Sequence, residues 1–191
     1  MSEISVYESQ LLIPEMSAYD LHKWVWSQME GSHESRCFIY NAVHVRNGWL
    51  THIRTPENLM PQLQPRVVTF DTAIGAEYGF SVRTVPYERH GRDSQDDSMK
   101  RRVRRILLDS DARPWFSSLG ERNGFAIKSL DDPMSQGFVF FGKHRRKITL
   151  NDTLFTGALA VTDSERFTAA LRNGIGRHKG FGFGLLQLSE V

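Results

Sequence analysis

The sequence predicts an α+β fold of two tandem ferredoxin-like domains, residues 1–75 and residues 76–191. Two observations predict it. Residues 1–75 show the order strand, helix, strand, strand, short helix, strand, which is the element order of that fold. After a turn near residues 73–76 the pattern starts again with a strand, and it closes with a helix and a last strand. Two small sheets fit this pattern better than one large sheet, and 191 residues are long enough for both.

The first half opens with the strand SVYESQLLI and a helix that starts near Ala18. Ser17 and Asp20 have the S-x-x-D spacing of a capping box, in which the first side chain accepts a hydrogen bond from the first helical turn. Apolar side chains then recur at helical spacing through about residue 29 and predict a face that packs on the core. They are Leu21, Trp24 and Val25.

Three more strands are predicted in the first half. RCFIYNAVHV and GWLTHIRT read as a hairpin joined at Asn47-Gly48, a dipeptide typical of tight turns between strands. PENLMPQLQP is bounded by prolines and predicts one helical turn, and RVVTFDT predicts the fourth strand.

The second half begins with the strand EYGFSVRTVPY, followed by the polar loop ERHGRDSQDDS. KRRVRRILLDSDARPWFSSLGERNG is basic and then helical, and Trp115, Phe116 and Leu119 form its core face. FAIKSL, QGFVFFG and RKITLNDTLFTGALAVTD predict strands and turns. TDSERFTAALRNG predicts a helix with a capping box from Thr162 to Glu165 and a stop at Asn173-Gly174, and LLQLSEV predicts the last strand.

The composition is that of a globular protein with a real core, because 40% of the residues are hydrophobic and 11% are aromatic. Cys37 is the single cysteine, which excludes an intrachain disulfide and a cysteine-based zinc site and fits a reducing compartment. The first residues lack a signal-peptide pattern, and no apolar run approaches the roughly 18 residues of a membrane span. We therefore expect a cytoplasmic protein with no membrane partner.

The positive charge is concentrated in the second half. Residues 1–75 hold five Lys or Arg against eight Asp or Glu, a net charge of −3, whereas residues 76–191 hold nineteen against fourteen, a net charge of +5. Three basic clusters stand out: KRRVRR at 100–105, KHRRK at 143–147, and Arg172, Arg177 and Lys179. One such cluster is usually a solvated face, but three in one half indicate a surface that binds a polyanion.

The run GIGRHKGFGFGLL places five glycines in eleven residues, at 174, 176, 180, 182 and 184. A dinucleotide fingerprint is excluded because no βαβ unit follows it, and a P-loop is excluded because Lys179 is followed by Gly180. A tight helix-to-strand turn explains Gly174 and Gly176. It does not explain the further G-x-G-x-G, which suggests that something must approach this backbone closely.

These motifs together resemble a known family. G-I-G-x-x-K-x-x-G-x-G-L-L, directly after a helix, resembles the signature of the RAMP superfamily, the repeat-processing endoribonucleases of CRISPR systems, and most of all the CasE type of type I-E systems. YGFSVRTVP is similar to the family's F-R-L-R-x-N-P strand, FTGALAVTD to its F-E-G-x-L-x-V-x-D strand, and YDLHK to its early Y-x-x-H helix. The resemblance therefore touches both halves of the chain, and it implies the same fold of two ferredoxin-like domains.

The resemblance implies a metal-independent endoribonuclease without a cofactor. Its partners would be CRISPR repeat RNA, the guide RNA that is its product, and other subunits of the effector complex. The expected reaction is attack by a 2′-hydroxyl on the adjacent phosphate, giving a 2′,3′-cyclic phosphate and a 5′-hydroxyl. RNA carries its own nucleophile, so the protein has to move protons and stabilise charge.

His22 and Tyr19 are the catalytic residues that the resemblance implies. At 100° per residue both fall on the helix face opposite Leu21, together with Lys23 and Trp26. Which of the pair is the acid and which the base stays open. A lysine that some members place further along the helix is replaced here by Ser27 or Gln28, so Lys23 or a residue of a basic cluster could stabilise the phosphorane instead.

RNA contacts are expected from the basic clusters and from the glycine run, whose bare backbone could approach phosphates. The residues are Lys23, Lys100, Arg101, Arg102, Arg104, Arg105, Lys143, Arg145, Arg146, Lys147, Gly176, Arg177, Lys179, Gly180 and Gly182. No histidine spacing predicts a metal ligand set. Two alternatives stay open: a non-cleaving RNA-binding subunit of the same superfamily, and an unrelated RRM-like RNA binder. The second is weakened because RCFIYNAVHV and QGFVFFG lack a convincing RNP signature.

Overall fold

The computed structural model describes residues 2–30, 36–90, 103–107, 111–141 and 147–190. The first half contains β1 (Glu3–Ile13), α1 (Ala18–Ser27), β2 (Ile39–Val45), β3 (Gly48–Thr55), a 3-10 helix (Pro61–Leu63) and β4 (Arg66–Asp71). The second half contains β5 (Glu77–Thr84), β6 (Tyr87–His90), β7 (Val103–Ile106), α2 (Ala112–Arg122), β8 (Phe125–Leu130), β9 (Met134–Phe141), β10 (Lys147–Val161), α3 (Ser164–Asn173), a 3-10 helix (Lys179–Phe181) and β11 (Gln187–Ser189).

The first sheet has the strand order β2-β3-β1-β4, and all of its pairings are antiparallel. This is the ferredoxin-like order, so the predicted fold of the first half is confirmed. Val45 pairs with Gly48, so the hairpin turns over Arg46 and Asn47, one residue earlier than the predicted Asn47-Gly48. The short helix between the prolines is present as predicted.

The second sheet repeats the order as β11-β5-β10-β8, with β9 paired to the first part of β10. The α+β class with two ferredoxin-like sheets is therefore confirmed. β10 is one strand of 15 residues, where the sequence predicted strands and turns. It stays extended because β9 pairs with its first half and β5 and β8 with its second half, so its backbone groups have partners along its length.

One strand pair lies where the sequence predicted a polar loop and a basic, then helical, segment. β6 pairs with β7 through Tyr87↔Ile106 to His90↔Val103. The pairing is antiparallel and separate from the two larger sheets. The residues of this pair are mostly charged, so their sequence lacks the alternation of apolar and polar residues that announces a half-buried strand.

Caps were predicted for helices α1 and α3, and both helices have one. In α3 the capping residue differs from the predicted residue. Ser17 Oγ accepts a hydrogen bond from the backbone N–H of Asp20 at 3.1 Å, which confirms the cap of α1. In α3 the cap is Asp163 rather than the predicted Thr162, because the Asp163 carboxylate accepts from the backbone N–H of Arg166 at 3.0 Å. A carboxylate at this position also interacts favourably with the positive end of the helix dipole.

The two sheets share one hydrophobic core. Ile4, Val6 and Phe70 of the first sheet are buried in the same cluster as Phe116 of α2 and Phe155 of β10. A second cluster packs α1 on the other face of the first sheet. The predicted boundary near residue 75 lies between β4 and β5, and the independence of two domains stays a prediction. None of the helices in the described ranges is long and apolar enough to cross a bilayer.

A buried arginine fixes the first sheet against the second half of the chain. Arg54 of β3 is 1% exposed and donates to Glu8 of β1, with Nε 2.8 Å from Oε1. Its Nη1 donates to the carbonyls of Leu171 at 3.2 Å and of Leu186 at 2.9 Å. Burial alone would raise the pKa of Glu8, but the hydrogen bond with His52 and the charge of Arg54 outweigh it and lower the pKa to about 2.

Candidate functional site

The glycine run forms a compact loop that is closed at its base. The backbone N–H of Ile175 donates to the carbonyl of Gly184 at 2.8 Å, and Lys179 Nζ donates to the carbonyl of Gly174 at 3.1 Å. The 3-10 helix Lys179–Phe181 is the tip of this loop. The tip packs against α1 and β2, so two motifs that are far apart in the sequence meet in the fold.

Some of these glycines allow other parts of the protein, rather than a ligand, to pack closely against the loop backbone. Gly182 is buried and has φ +84°, and a Cβ on it would lie 3.2 Å from the backbone nitrogen of Ala42 in β2. A Cβ on Gly184 would lie 2.1 Å from the carbonyl oxygen of Ile175. Gly182 therefore has a packing reason to be a glycine, and its contact with RNA stays a prediction. Gly176 and Gly180 are partly exposed and stay candidates for contact with a ligand.

His22 of α1 lies against the tip of the glycine loop. Its ring centroid is 5.7 Å from that of Phe181 and 6.3 Å from that of Trp26. Leu21 and Val25 are buried, as the helical spacing predicted. On the opposite face, Phe181 and Trp26 partly enclose the imidazole of His22. The catalytic role of His22 stays a prediction.

The surroundings of His22 favour a neutral imidazole. Burial lowers the pKa of His22 from its ordinary value, the backbone of Gly180 acts in the opposite direction, and the positive charge of Arg36 adds to the lowering. Nδ1 is buried and has no hydrogen bond of normal geometry within the described part of the chain. A neutral imidazole can accept or pass on a proton near pH 7.

Tyr19 and Lys23 flank His22 on the exposed side of α1. Lys23 Nζ is 2.6 Å from Asp20 Oδ1 and 5.0 Å from the centroid of the Tyr19 ring. No hydrogen bond in the described ranges joins Tyr19 to His22. Tyr19 and His22, the predicted pair, therefore lie on the same helix, and the side chain next to Tyr19 is that of Lys23.

Two residues near His22 were missed from the sequence. The Arg36 guanidinium lies beside Gly180, it is half-buried, and no carboxylate among the described residues forms an ion pair with it. Burial lowers the pKa of Arg36, as expected for a cation held away from water. Tyr40 donates from its hydroxyl to the carbonyl of Gly180 at 2.8 Å and so holds the loop tip on β2. The only sequence signal for Arg36 is a basic residue at the start of the predicted strand RCFIYNAVHV, outside any cluster.

An open pocket of about 470 Å³ lies beside the loop tip, and we call it the loop pocket. Residues 176–181, Arg36 and Tyr87 line it. Three cations, Arg36, Arg177 and Lys179, border this one cavity, and burial together with the charge of Arg36 lowers the pKa of Lys179. His22 does not line this pocket but contacts Gly180 and Phe181, which do. A cavity with several cations and exposed glycine backbone can hold a phosphate group.

The other basic clusters are described only in part. Lys100, Arg101, Arg102, Lys143, Arg145 and Arg146 lie outside the described residues. Arg104 and Arg105 are on β7 and Lys147 begins β10, and the structure describes their backbone alone. Contacts between these residues and RNA stay predictions.

Comparison with known proteins supplies the family and the fold. A family model described as CRISPR associated protein matches residues 8–189, and no curated protein matches the chain. Cas6e from Escherichia coli K-12 is 19% identical with a TM-score of 0.74, and the match covers 97% of this chain and 100% of Cas6e. Thermus thermophilus Cse3, bound to an RNA representing a pre-cleavage complex, is 20% identical with a TM-score of 0.72, covering 98% and 100%. A chain of E. coli Cascade bound to a PAM-containing dsDNA target is 18% identical with a TM-score of 0.57, covering 97% and 99%.

Proposed function

Because this chain belongs to the family of CRISPR-associated proteins, we propose that it is an endoribonuclease that binds the hairpin of a CRISPR repeat and cleaves precursor RNA into guide RNA. The observation that carries the proposal is the position of His22 against the tip of the glycine loop, beside a pocket bordered by three cations. The similar structures include a Cse3 bound to RNA and described as a CRISPR endoribonuclease, which supports the same substrate class here.

The proposed chemistry is an internal transesterification. The 2′-oxygen forms a bond to the adjacent phosphorus, the bond from phosphorus to the 5′-oxygen breaks, and the products end in a 2′,3′-cyclic phosphate and a 5′-hydroxyl. One proton leaves the 2′-hydroxyl and one reaches the departing 5′-oxygen. His22 performs one of these transfers, and Tyr19 orients the 2′-hydroxyl or hydrogen-bonds the phosphate. The reaction needs no metal or cofactor, because RNA supplies the nucleophile.

Arg36 is our candidate for the third role, stabilisation of the extra negative charge that the phosphorane carries. Its guanidinium is half-buried beside Gly180 and has no carboxylate partner among the described residues. Charge-assisted hydrogen bonds in a partly dehydrated site are stronger than those in water. Arg177 and Lys179 border the same pocket and would hold the phosphate from the loop side.

The rest of the RNA would lie along the basic clusters of the second half. An A-form stem is recognised mostly through its backbone and shape, which suits arginine-rich strands such as β7. We also propose that the product stays bound and that the protein works in the cytoplasm as a subunit of an effector complex. The likeness to a chain of E. coli Cascade supports the second part.

The proposal is tested by mixing the purified full chain with end-labelled CRISPR repeat RNA in EDTA. We expect one cut at the 3′ base of the hairpin, a product that ends in a cyclic phosphate, and no cut when the 2′-hydroxyl at that position is replaced by hydrogen. A repeat whose stem is scrambled is the control and should stay intact. A product with a 3′-hydroxyl, or activity that EDTA abolishes, would contradict the proposed chemistry.

A non-cleaving RNA-binding subunit is the second candidate. It is favoured by one observation, that no hydrogen bond in the described part of the chain connects Tyr19 with His22. This candidate predicts tight binding of the repeat hairpin and an uncut RNA after prolonged incubation with excess protein. The same mixture therefore distinguishes the two functions.

A further inference from the structure

A second cavity adjoins the loop pocket. It has a volume of about 390 Å³ and shares Tyr87, Gly176 and Arg177 with the loop pocket. Its remaining walls come from Val85 and from α2 and the residue after it, and we call it the α2 pocket. The two cavities therefore meet at these three residues.

The walls of the α2 pocket combine flat rings, cations and an apolar base. Trp115 and Tyr87 are partly exposed, and the Arg177 guanidinium lies over the Tyr87 ring, 5.4 Å from its centroid. Val85 and Leu119 are buried and form the apolar part. None of these features is needed for a phosphate site.

Two polar side chains stand at the edge of the α2 pocket. Arg122 is exposed and donates from Nε to the carbonyl of Ser118 at 3.1 Å, which holds the guanidinium on the end of α2. Asn123 donates from Nδ2 to the carbonyl of Leu119 at 2.7 Å, which fixes its amide. Asn123 Oδ1 makes no hydrogen bond in the described ranges, so one acceptor of fixed orientation lies at the pocket edge.

We propose that the α2 pocket holds one unpaired nucleobase of the bound RNA, from a nucleotide next to the phosphate in the loop pocket. This inference rests on the proposed function. Unpaired bases stack on aromatic rings and guanidinium planes and offer their edges for hydrogen bonds, which is what Trp115, Arg122 and Asn123 provide. The volume lies within the range of about 300 to 1,000 Å³ of small-molecule sites. A base held there would fix the strand beside His22 by a contact that the stem does not make.

The test measures the binding of full-length protein to repeat hairpins in which single nucleotides flanking the cut are made abasic, one at a time. To prevent cutting, each RNA carries 2′-deoxyribose at the cut site. Removing a stacked base should weaken binding roughly 5-fold to 150-fold at one flanking position and little at the others. In Trp115→Leu and in Arg122→Gln the loss at that position should shrink, and in the control Arg166→Gln, an exposed residue of α3, it should persist in full.

A second measurement follows the base by fluorescence, first with the wild-type protein, whose result does not depend on the folding of a variant. 2-Aminopurine placed at the sensitive position should lose fluorescence on binding, because stacking on Trp115 quenches it, and the loss should be absent in Trp115→Leu. Equal affinities for intact and abasic RNAs at every flanking position, with normal cleavage of the unmodified repeat, would overturn the base pocket and leave the proposed function standing. Failure of the wild-type protein to bind the repeat hairpin would overturn both.

Discussion

At the scale of single residues, His22 is defined by what encloses it. The imidazole lies between Phe181 and Trp26, and its Nδ1 is buried without a hydrogen bond of normal geometry in the described ranges. A histidine that served only as a solvated surface residue would have no reason to be desolvated beside Arg36. The enclosure is therefore the observation on which the proposed role of His22 in proton transfer rests.

The first prediction concerns His22→Ala. Because Leu21 and Val25 supply the buried face of α1, the variant should fold, and RNA affinity should change little. The rate of cleavage in a single turnover should fall by roughly 10² to 10⁴, the usual effect of removing a general acid or base. His44→Ala is the matched control, because His44 is exposed and paired with Glu15 in the segment between β1 and α1, and it should cut at the wild-type rate. A His22→Ala protein that cuts equally fast would remove His22 from the catalytic residues.

The second prediction uses the charge of Arg36. The cation lowers the pKa of His22, so Arg36→Gln should raise that pKa and move the corresponding limb of the pH–rate profile to higher pH. This direction holds whether His22 is the acid or the base. Loss of a donor to the phosphorane should also slow cleavage by about 10²-fold. Arg46→Gln, which removes the same charge from the β2–β3 turn, should leave the profile in place. An NMR titration of His22 that shows no upward shift in Arg36→Gln would contradict the prediction.

At the scale of elements, the glycine loop has two kinds of glycine. Gly182 has φ +84° and packs on β2, whereas Gly180 has no positive φ and faces His22, with its added Cβ 3.4 Å from His22 Cε1. The first kind maintains the loop's shape, and the second leaves room around the imidazole. The two positions can therefore be separated by experiment.

The third prediction compares Gly182→Val with Gly180→Ala. Gly182→Val should lower the free energy of unfolding by about 1–3 kcal/mol, because a branched side chain is strained at that φ and crowds the backbone of Ala42. Gly180→Ala should keep the wild-type stability and slow cleavage, by up to about 10²-fold, because it crowds His22. Thermal unfolding and single-turnover rates measure the two effects. Equal loss of stability in both variants would contradict the distinction.

The sequence predicted those elements whose signals are local. Ser17 and the spacing of Leu21 and Val25 specify α1 within a few turns, so its cap and buried face could be predicted. β6 and β7 were missed because their charged residues carry no apolar alternation and their pairing joins segments on either side of residues 91–102. Helix α3 begins at the residue after Asp163 rather than Thr162, because Asp and Thr are both good caps and only the backbone decides between neighbours.

The candidate site depends on contacts that no local pattern contains. Tyr40 reaches the carbonyl of Gly180 across 140 residues, and Arg36 reaches the same turn from outside any basic cluster. The family resemblance pointed to His22 and to the glycine run separately. The structure adds that they touch, and that Gly182 serves this packing.

At the scale of the whole molecule, the Arg54 network holds the two halves in register. One guanidinium joins β1, through Glu8, to the carbonyls of Leu171 and Leu186, which lie on either side of the glycine loop. The buried guanidinium reaches its carboxylate and its two carbonyl acceptors only when these groups are correctly placed. Removing one partner lowers the stability of the fold because it leaves a buried charge without compensation. The network therefore controls where the loop lies relative to α1.

The fourth prediction concerns the pH dependence of stability. The pKa of Glu8 is lowered from 4.5 to about 2 in the folded protein, so its contribution to stability is present above pH 4.5 and is lost as the pH falls through about 2. Urea unfolding between these values should show a fall in stability that Glu8→Gln lacks. That variant should also be less stable at pH 7, by about 3–5 kcal/mol, because it leaves Arg54 buried without its carboxylate. Adding Arg54→Met should recover part of the loss, and no recovery would contradict this account.

The distance along the chain between α1 and the loop that encloses His22 has a consequence during protein synthesis. The contact from Tyr40 to Gly180 spans 140 residues, and ribosomes add about 5–20 residues each second. For on the order of ten seconds, then, a growing chain carries α1 with its histidine exposed and unsupported. Under the proposed function, cleavage would therefore begin only when residues 174–186 have emerged and packed against the helix.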